Sequence, residues 1–441
     1  MNEFLSLSSS LVIEPLRAGL CAGRDNQVDL LVRVQAPDLP PQEGAARPPQ
    51  AVALVIDKSG SMRGDAIQEA RRCAEFVVSR MRKSDVISLV QFDDQVTRLQ
   101  EAVPQGDGRL LRAAIHQIRV GGNTDLHGGW LEGAETLTAV SGTALKRVIL
   151  LSDGQANIGL TDQEAIATQC RDWAARGIST STYGLGDGFN EDLMVAMARA
   201  GSGNHYYGDK AEDLMEPFEQ ELDLMANLAM RQVRLQLSAP DGLGLEVLND
   251  STASAADWQL PDMAWDTEAW VVVRLTLPAA AMPAPGERMT LLRAQVTALT
   301  AAGDPVSLER TSLALPVRQA GEWQALPESA LVARRVLEVD ASRMLSAMRQ
   351  LAQEEEWPAL DKLLSEAEQR FSGHEWLTSI MQAMRGVASS RSRERMMKES
   401  FFSSRKLSAR LAAKNEQAAN PEGTDEPAFL RRKSLQGKRD H

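Results

Sequence analysis

A chain of 441 residues, 43% hydrophobic and 24% charged, has the make-up of a folded soluble protein with room for roughly three domains of ordinary size. Its 60 acidic and 48 basic residues leave a formal net charge of -12, which excludes nucleic acid as the main partner, because phosphate binding needs a basic face. Three scattered cysteines, Cys21, Cys73 and Cys170, exclude a disulfide framework and fit a reducing compartment.

The first residues, MNEFLSLSSSLVIEPLRAGL, carry no basic run ahead of their apolar stretch, so a secretory leader is not expected, and no window is apolar for long enough to span a membrane. The chain therefore reads as a cytoplasmic, bacterial-type protein. Residues 1–47 contain SLVIEPL and QVDLLVRVQA, short alternating runs that predict β-strands, followed by the linker LPPQEGAARPPQ.

From Ala51 the pattern changes to buried strands alternating with amphipathic helices, which predicts a doubly wound, Rossmann-like α/β domain over residues 48–228. AVALVI is its first strand. Asp65 is the expected N-cap of the next helix, with Gln68 in the capping-box position. DVISLVQF follows as a strand with QVTRLQ as an edge ribbon, then the helix RLLRAAIHQI and the turn GGNTD. LHGGWLEGAETL is read as helix despite its glycines, and KRVILLSDG as a strand. A helix from Asp162 to Arg176, the strand ISTSTYGLG, the helix NEDLMVAMARA, the short strand HYYG and an exit helix to Leu228 complete the domain.

Period-2 runs resume over residues 229–320 (RQVRLQLS, AWVVVRLTL, RMTLLRAQVTAL), so an antiparallel β-sandwich is expected there. The similar texture of residues 1–47 places them in the same sandwich and makes the α/β domain an insertion. Residues 327–386 predict packed helices. Residues 387–441 read as a basic, partly helical arm and then a disordered tail, with 13 lysines and arginines against 7 acidic residues.

Three strand ends and loops of the α/β domain carry small oxygen-bearing residues: Asp57, Ser59 and Ser61, then Thr124, then Asp153. In a doubly wound sheet such groups meet in one crevice beyond the carboxyl ends of the strands. A set with oxygen donors only, and only two carboxylates, suits a hard divalent cation, Mg²⁺ before Mn²⁺ or Ca²⁺, whereas zinc would call for His or Cys.

DKSGS, the Thr of GGNTDL and the Asp of LLSDG resemble the metal-ion-dependent adhesion site of von Willebrand factor A domains. SDGQANIGLTD and YGLGDGFNEDLMVAMARAGSGNHYY are similar to bacterial soluble relatives of calcium-activated chloride channel proteins and of inter-alpha-trypsin inhibitor heavy chains. The resemblance implies that Ser59, Ser61 and Thr124 coordinate the metal through hydroxyls, that Asp57 and Asp153 act mainly through bound water, and that a partner Glu or Asp completes the octahedron. It implies a non-enzymatic adaptor or scaffold, with a chaperone-like ATPase or kinase and phosphatase components as candidate partners. A metal-dependent hydrolase or phosphatase, and an assembly subunit whose metal only stabilises the fold, stand as alternatives.

Other features are weighed as ordinary structure. Arg63, Gly64 and Asp65 spell RGD, but Asp65 is expected to cap a helix. His116, His127, His205 and His374 are scattered without metal-ligand spacing. Asp93, Asp94, Asp125 and Asp187 could add negative potential near the crevice or simply line solvated loops. Ser434, behind the basic residues of FLRRKSLQ, is a candidate phosphorylation site.

Overall fold

A computed structural model describes residues 9–38, 49–142, 144–153, 156–185, 190–208, 211–249, 258–407 and 411–413. Ser434 and the tail from residue 414 lie outside the described residues, as does Asp187.

The chain begins with strands β1 (Ser10–Pro15), β2 (Leu20–Cys21) and β3 (Asn26–Gln35). It then builds an α/β layer from β4 (Gln50–Asp57), α1 (Asp65–Arg80), β5 (Val86–Phe92), β6 (Val96–Pro104), α2 (Arg109–Gln117) and α3 (Leu126–Thr136). The layer continues with β7 (Leu145–Ser152), α4 (Gln163–Ala175), β8 (Ile178–Leu185), α5 (Glu191–Ala200), β9 (His205–Gly208) and α6 (Ala211–Ala226). Its six strands lie in the order β6-β5-β4-β7-β8-β9, all neighbours parallel except the antiparallel edge pair β5 and β6.

β4 is buried along its whole length because helices cover both faces of the sheet. Val52, Leu54 and Ile56 face the core shared with α1, α2 and α6, while Ala51, Ala53 and Val55 face the one shared with α3, α4 and α5. The glycines of α3 have a packing reason. A Cβ at Gly129 would stand 2.4 Å from the Phe92 ring and one at Gly133 would stand 2.4 Å from Val55 Cγ2, so only glycine lets this helix lie against β4 and β5.

The start of α1 differs from the sequence expectation. Gly64, with φ of 91°, takes the cap position, and no side chain caps the helix. Asp65 sits in the first turn instead, where its negative charge still complements the helix dipole. The chain turns too sharply after the serine loop for a residue with a Cβ to hold the cap conformation.

Two further sheets follow from β10 (Leu228–Ser238), β11 (Gly244–Val247), β12 (Trp258–Gln259), β13 (Met263–Ala264), β14 (Thr267–Leu277), β15 (Arg288–Thr300), β16 (Pro305–Ser307) and β17 (Thr311–Arg318). One sheet has the order β1-β3-β14-β11, the other β12-β10-β15-β17-β2. Val32 and Val34 from the first share a core with Val233, Leu235 and Val296 from the second, so the two sheets pack face to face. Gln50, where the α/β layer begins, donates to the carbonyl of Leu222 near its end (3.4 Å), so the chain enters and leaves that layer side by side.

After the short α7 (Ala320–Gln324) come α8 (Ala330–Gln353), α9 (Trp357–Arg370), α10 (Glu375–Ser389) and α11 (Arg393–Leu407). α8 covers the outer face of the first sheet through Val332 and Val339 against Leu31, Trp270 and Val272. This second burial explains why β3 is buried on both faces along most of its length. α11 lies past Gly386, in the stretch read as a basic arm, yet its Met396 and Leu407 share the core of α8, α9 and α10. Residues Leu411–Ala413 then pair with β14 as a last short strand, β18.

Candidate metal centre

β4 and β7 are adjacent parallel strands, and the strand order reverses between them: β5 follows β4 on one side while β7 lies on the other. The carboxyl ends of such a pair open into the crevice where α/β sheets bind ligands. Asp57 ends β4, and Asp153 directly follows β7.

Four of the five sequence-identified residues form one hydrogen-bonded chain. Ser59 N–H donates to Asp57 Oδ1 (2.8 Å), the Ser59 and Ser61 hydroxyls lie 3.1 Å apart, and the Ser61 hydroxyl donates to Asp153 Oδ1 (2.9 Å). Asp57 and Ser59 are buried, Asp153 is 9% exposed, and Ser61 faces solvent. Thr124 is brought to the same crevice through its main chain, and its hydroxyl makes no hydrogen bond to the other four among the described residues. Gly60 N–H donates to Gly122 O (3.0 Å), and Thr124 N–H donates to Asn157 Oδ1 (2.8 Å). Asn157 N–H in turn donates to Thr124 O (3.1 Å).

The electrostatics of the two carboxylates are informative. Burial pushes the Asp57 carboxyl up, and hydrogen bonds from Ser152 and Ser59 only partly offset it. Asp153 is pushed up to about 6, first by burial and then by the negative charge of Asp57. Among the described residues neither carboxylate pairs with a lysine or arginine; the nearby Lys58 is engaged with Asp93 instead. Asp93 is driven up by burial, but the Lys58 ammonium and the Gln95 amide more than reverse this and hold it below its ordinary range. A largely buried, all-oxygen set with two carboxylates and no cationic partner among the described residues fits a hard divalent cation. Among the described residues no cluster of three or more His, Cys, Asp or Glu side chains could hold a metal, so any cation here relies on hydroxyls.

Two supporting residues escaped the sequence reading. Ser152 donates to Asp57 Oδ2 (2.5 Å), and Asn157 braces Thr124 from both sides. Ser152 did leave a signal: it is the one hydroxyl in the otherwise apolar run VILLS of a buried strand.

Features set aside from the crevice have structural work. Asp125 caps α3 by accepting from Gly128 N–H (2.9 Å). His127 meets Gln169 (2.9 Å), His205 meets Thr182 (2.8 Å), His116 pairs with Glu75 and His374 caps α10. All three cysteines are buried and unpaired. No helix among the described residues is long and apolar enough to cross a membrane.

Comparison with known proteins agrees with this geometry. Residues 51–221 match the von Willebrand factor type A domain family. An uncharacterized protein of Synechocystis is 25% identical over 192 residues, covering 43% of this chain and 45% of that protein. Inter-alpha-trypsin inhibitor heavy chain H1 of Sus scrofa is 30% identical over 207 residues, covering 44% of this chain and 22% of that protein. The chain thus spans less than half the length of these curated relatives. A von Willebrand factor type A structure from Catenulispora acidiphila superposes with a TM-score of 0.67 at 14% identity, over 91% of this chain and 98% of that one, a likeness of fold that extends past the α/β layer. Residues 51–221 therefore form a von Willebrand factor type A domain, a kind of domain that commonly serves as a metal-dependent protein-interaction module.

Proposed function

We propose that this protein is a non-enzymatic adaptor or scaffold of a bacterial cytoplasmic complex that grips a protein partner through a Mg²⁺-dependent adhesion site. The observation that carries the reading is the pair of under-neutralised carboxylates, Asp57 and Asp153, joined through Ser59 and Ser61 at the carboxyl edge of the sheet. In this reading Ser59, Ser61 and Thr124 hold the ion by their hydroxyls, and Asp57 and Asp153 hold its waters. The bound ion supplies a positive charge with an open coordination position. Because hydroxyls neutralise it less than carboxylates would, the site keeps its attraction for a partner Glu or Asp. A chaperone-like ATPase, or kinase and phosphatase components, are the partner classes to try first.

The test is retention of cellular partners by the full chain in Mg²⁺ and in EDTA, beside an Asp57→Ala/Ser59→Ala variant that keeps its fold. Retention that needs both Mg²⁺ and the native residues is expected. Equal retention under every condition would sink the proposal.

A further inference from the structure

The segment that carries Thr124, between α2 and α3, has no regular structure of its own, and backbone bonds to two neighbouring strand ends fix its position. Before Thr124, Gly121 N–H donates to Lys58 O (2.8 Å); after it, Asp125 N–H donates to Asp93 O (2.8 Å). Lys58 follows β4 and Asp93 follows β5, so the two anchors belong to different strands. Their side chains are joined to each other: Lys58 Nζ is ion-paired with Asp93 Oδ2, the two side chains being only 13% and 7% exposed. Asp93 Oδ1 accepts from Gln95 N–H (2.8 Å), which holds the carboxylate from a second side, and Lys58 N–H donates to Phe92 O (2.8 Å), which ties the Lys58 main chain to the end of β5.

We propose that the Lys58–Asp93 ion pair is a positioning clamp: it hydrogen-bonds to none of the five oxygen-bearing side chains, and it sets the affinity of the crevice for a divalent cation by fixing Thr124. This rests on the metal-site reading above and deepens it.

Simple electrostatics makes a different forecast, which is what renders the clamp testable. As a bare charge Lys58 opposes a cation in the crevice, while Asp93, whose charge is felt at Asp57, favours one. Losing Lys58 alone would then tighten cation binding, and losing both members would leave it unchanged. A clamp predicts weaker binding in both cases. A pair that merely stabilises the β4 and β5 ends would lower the melting midpoint without coupling to Thr124.

Mn²⁺ binding to the full chain, followed by titration with detection of free ion by electron paramagnetic resonance, separates these accounts. Wild type is expected to bind and Asp57→Ala to fail. Lys58→Met/Asp93→Asn should weaken binding by about tenfold, the size usual for residues that orient metal ligands. The milder Lys58→Gln/Asp93→Asn, which can still hydrogen-bond, should weaken it by about threefold and serves if the first variant does not fold, as judged by melting without metal. Thr124→Ala should cost about tenfold in wild type and no more than about twofold once the clamp is gone, because the two act as a unit. If wild type and Asp57→Ala behave alike, the metal-site reading itself fails. If wild type binds and Asp57→Ala does not, yet a folded clamp variant binds as tightly as wild type or Thr124→Ala keeps its full cost there, the clamp is overturned.

Discussion

Asp57 shows how much of the crevice depends on a residue outside the motif. Both its oxygens are engaged, Oδ1 by Ser59 N–H and Oδ2 by the Ser152 hydroxyl, in a fully buried position. Ser152→Ala removes a donor from a buried carboxylate, which costs about 1.5–3 kcal/mol when the acceptor is charged. Urea unfolding at neutral pH should show that loss in the metal-free protein. An unchanged midpoint would mean that water replaces the hydroxyl. The D-x-S-x-S run was legible because its spacing is local and its residue types have no other reason to crowd a strand end. Thr124 and Asp153 were legible from their places in a loop and at a strand end that a doubly wound sheet brings to one crevice, and from an order along the chain that resembles the adhesion site of von Willebrand factor A domains. Ser152 and Asn157 act across strands and loops, on a neighbour's carboxylate and on a backbone, and such contacts leave no period in a sequence.

Among elements, α3 carries the sharpest conflict between local preference and packing. Glycine is a poor helix former, and alanine at Gly129 or Gly133 would improve intrinsic helicity by about 1 kcal/mol. The added Cβ would meet the buried Phe92 ring or Val55 at 2.4 Å, and overpacking of this kind costs about 1–3 kcal/mol. Packing wins, so Gly129→Ala and Gly133→Ala should each lower the thermal midpoint, whereas alanine at the exposed Glu135 should leave it nearly unmoved. A raised midpoint for either glycine variant would show that the helix can shift off the sheet. The alternation of strand and helix was readable from apolar runs and their lengths, since each β4-like strand is buried on both faces. The start of α1 was misjudged because Asp65 looks like a cap, while the conformation at Gly64 reserves that place for glycine. The docking of α11 was hard to read because its sequence is rich in charge, and Met396 and Leu407 are among the few apolar residues that join the core of the other helices.

At the scale of the whole molecule the α/β layer and the sandwich meet around one buried charge network. Arg147, at the start of β7, is ion-paired with Glu221 of α6 and reaches Asp262 of the sandwich (3.2 Å). Burial pushes Glu221 up, but Arg147 and donors from Ser181, Asn204 and Tyr206 overcome it and hold the group below its ordinary range. Asp262, with the longer contact to Arg147, remains raised by burial despite that contact and the Gln232 amide. One guanidinium is thus shared unequally by two buried carboxylates from different parts of the fold. Arg147→Met would leave both carboxylates without their cation, a change that costs about 3–5 kcal/mol when a buried pair is broken on one side. Replacing all three groups at once, as Arg147→Met/Glu221→Gln/Asp262→Asn, should cost less than the single change, because no uncompensated charge is then left inside. Chemical unfolding of the two variants beside wild type decides the matter. If the single variant proves as stable as wild type, the network does not hold the sandwich to the layer, and the strands and helices that cross between them must carry that load alone.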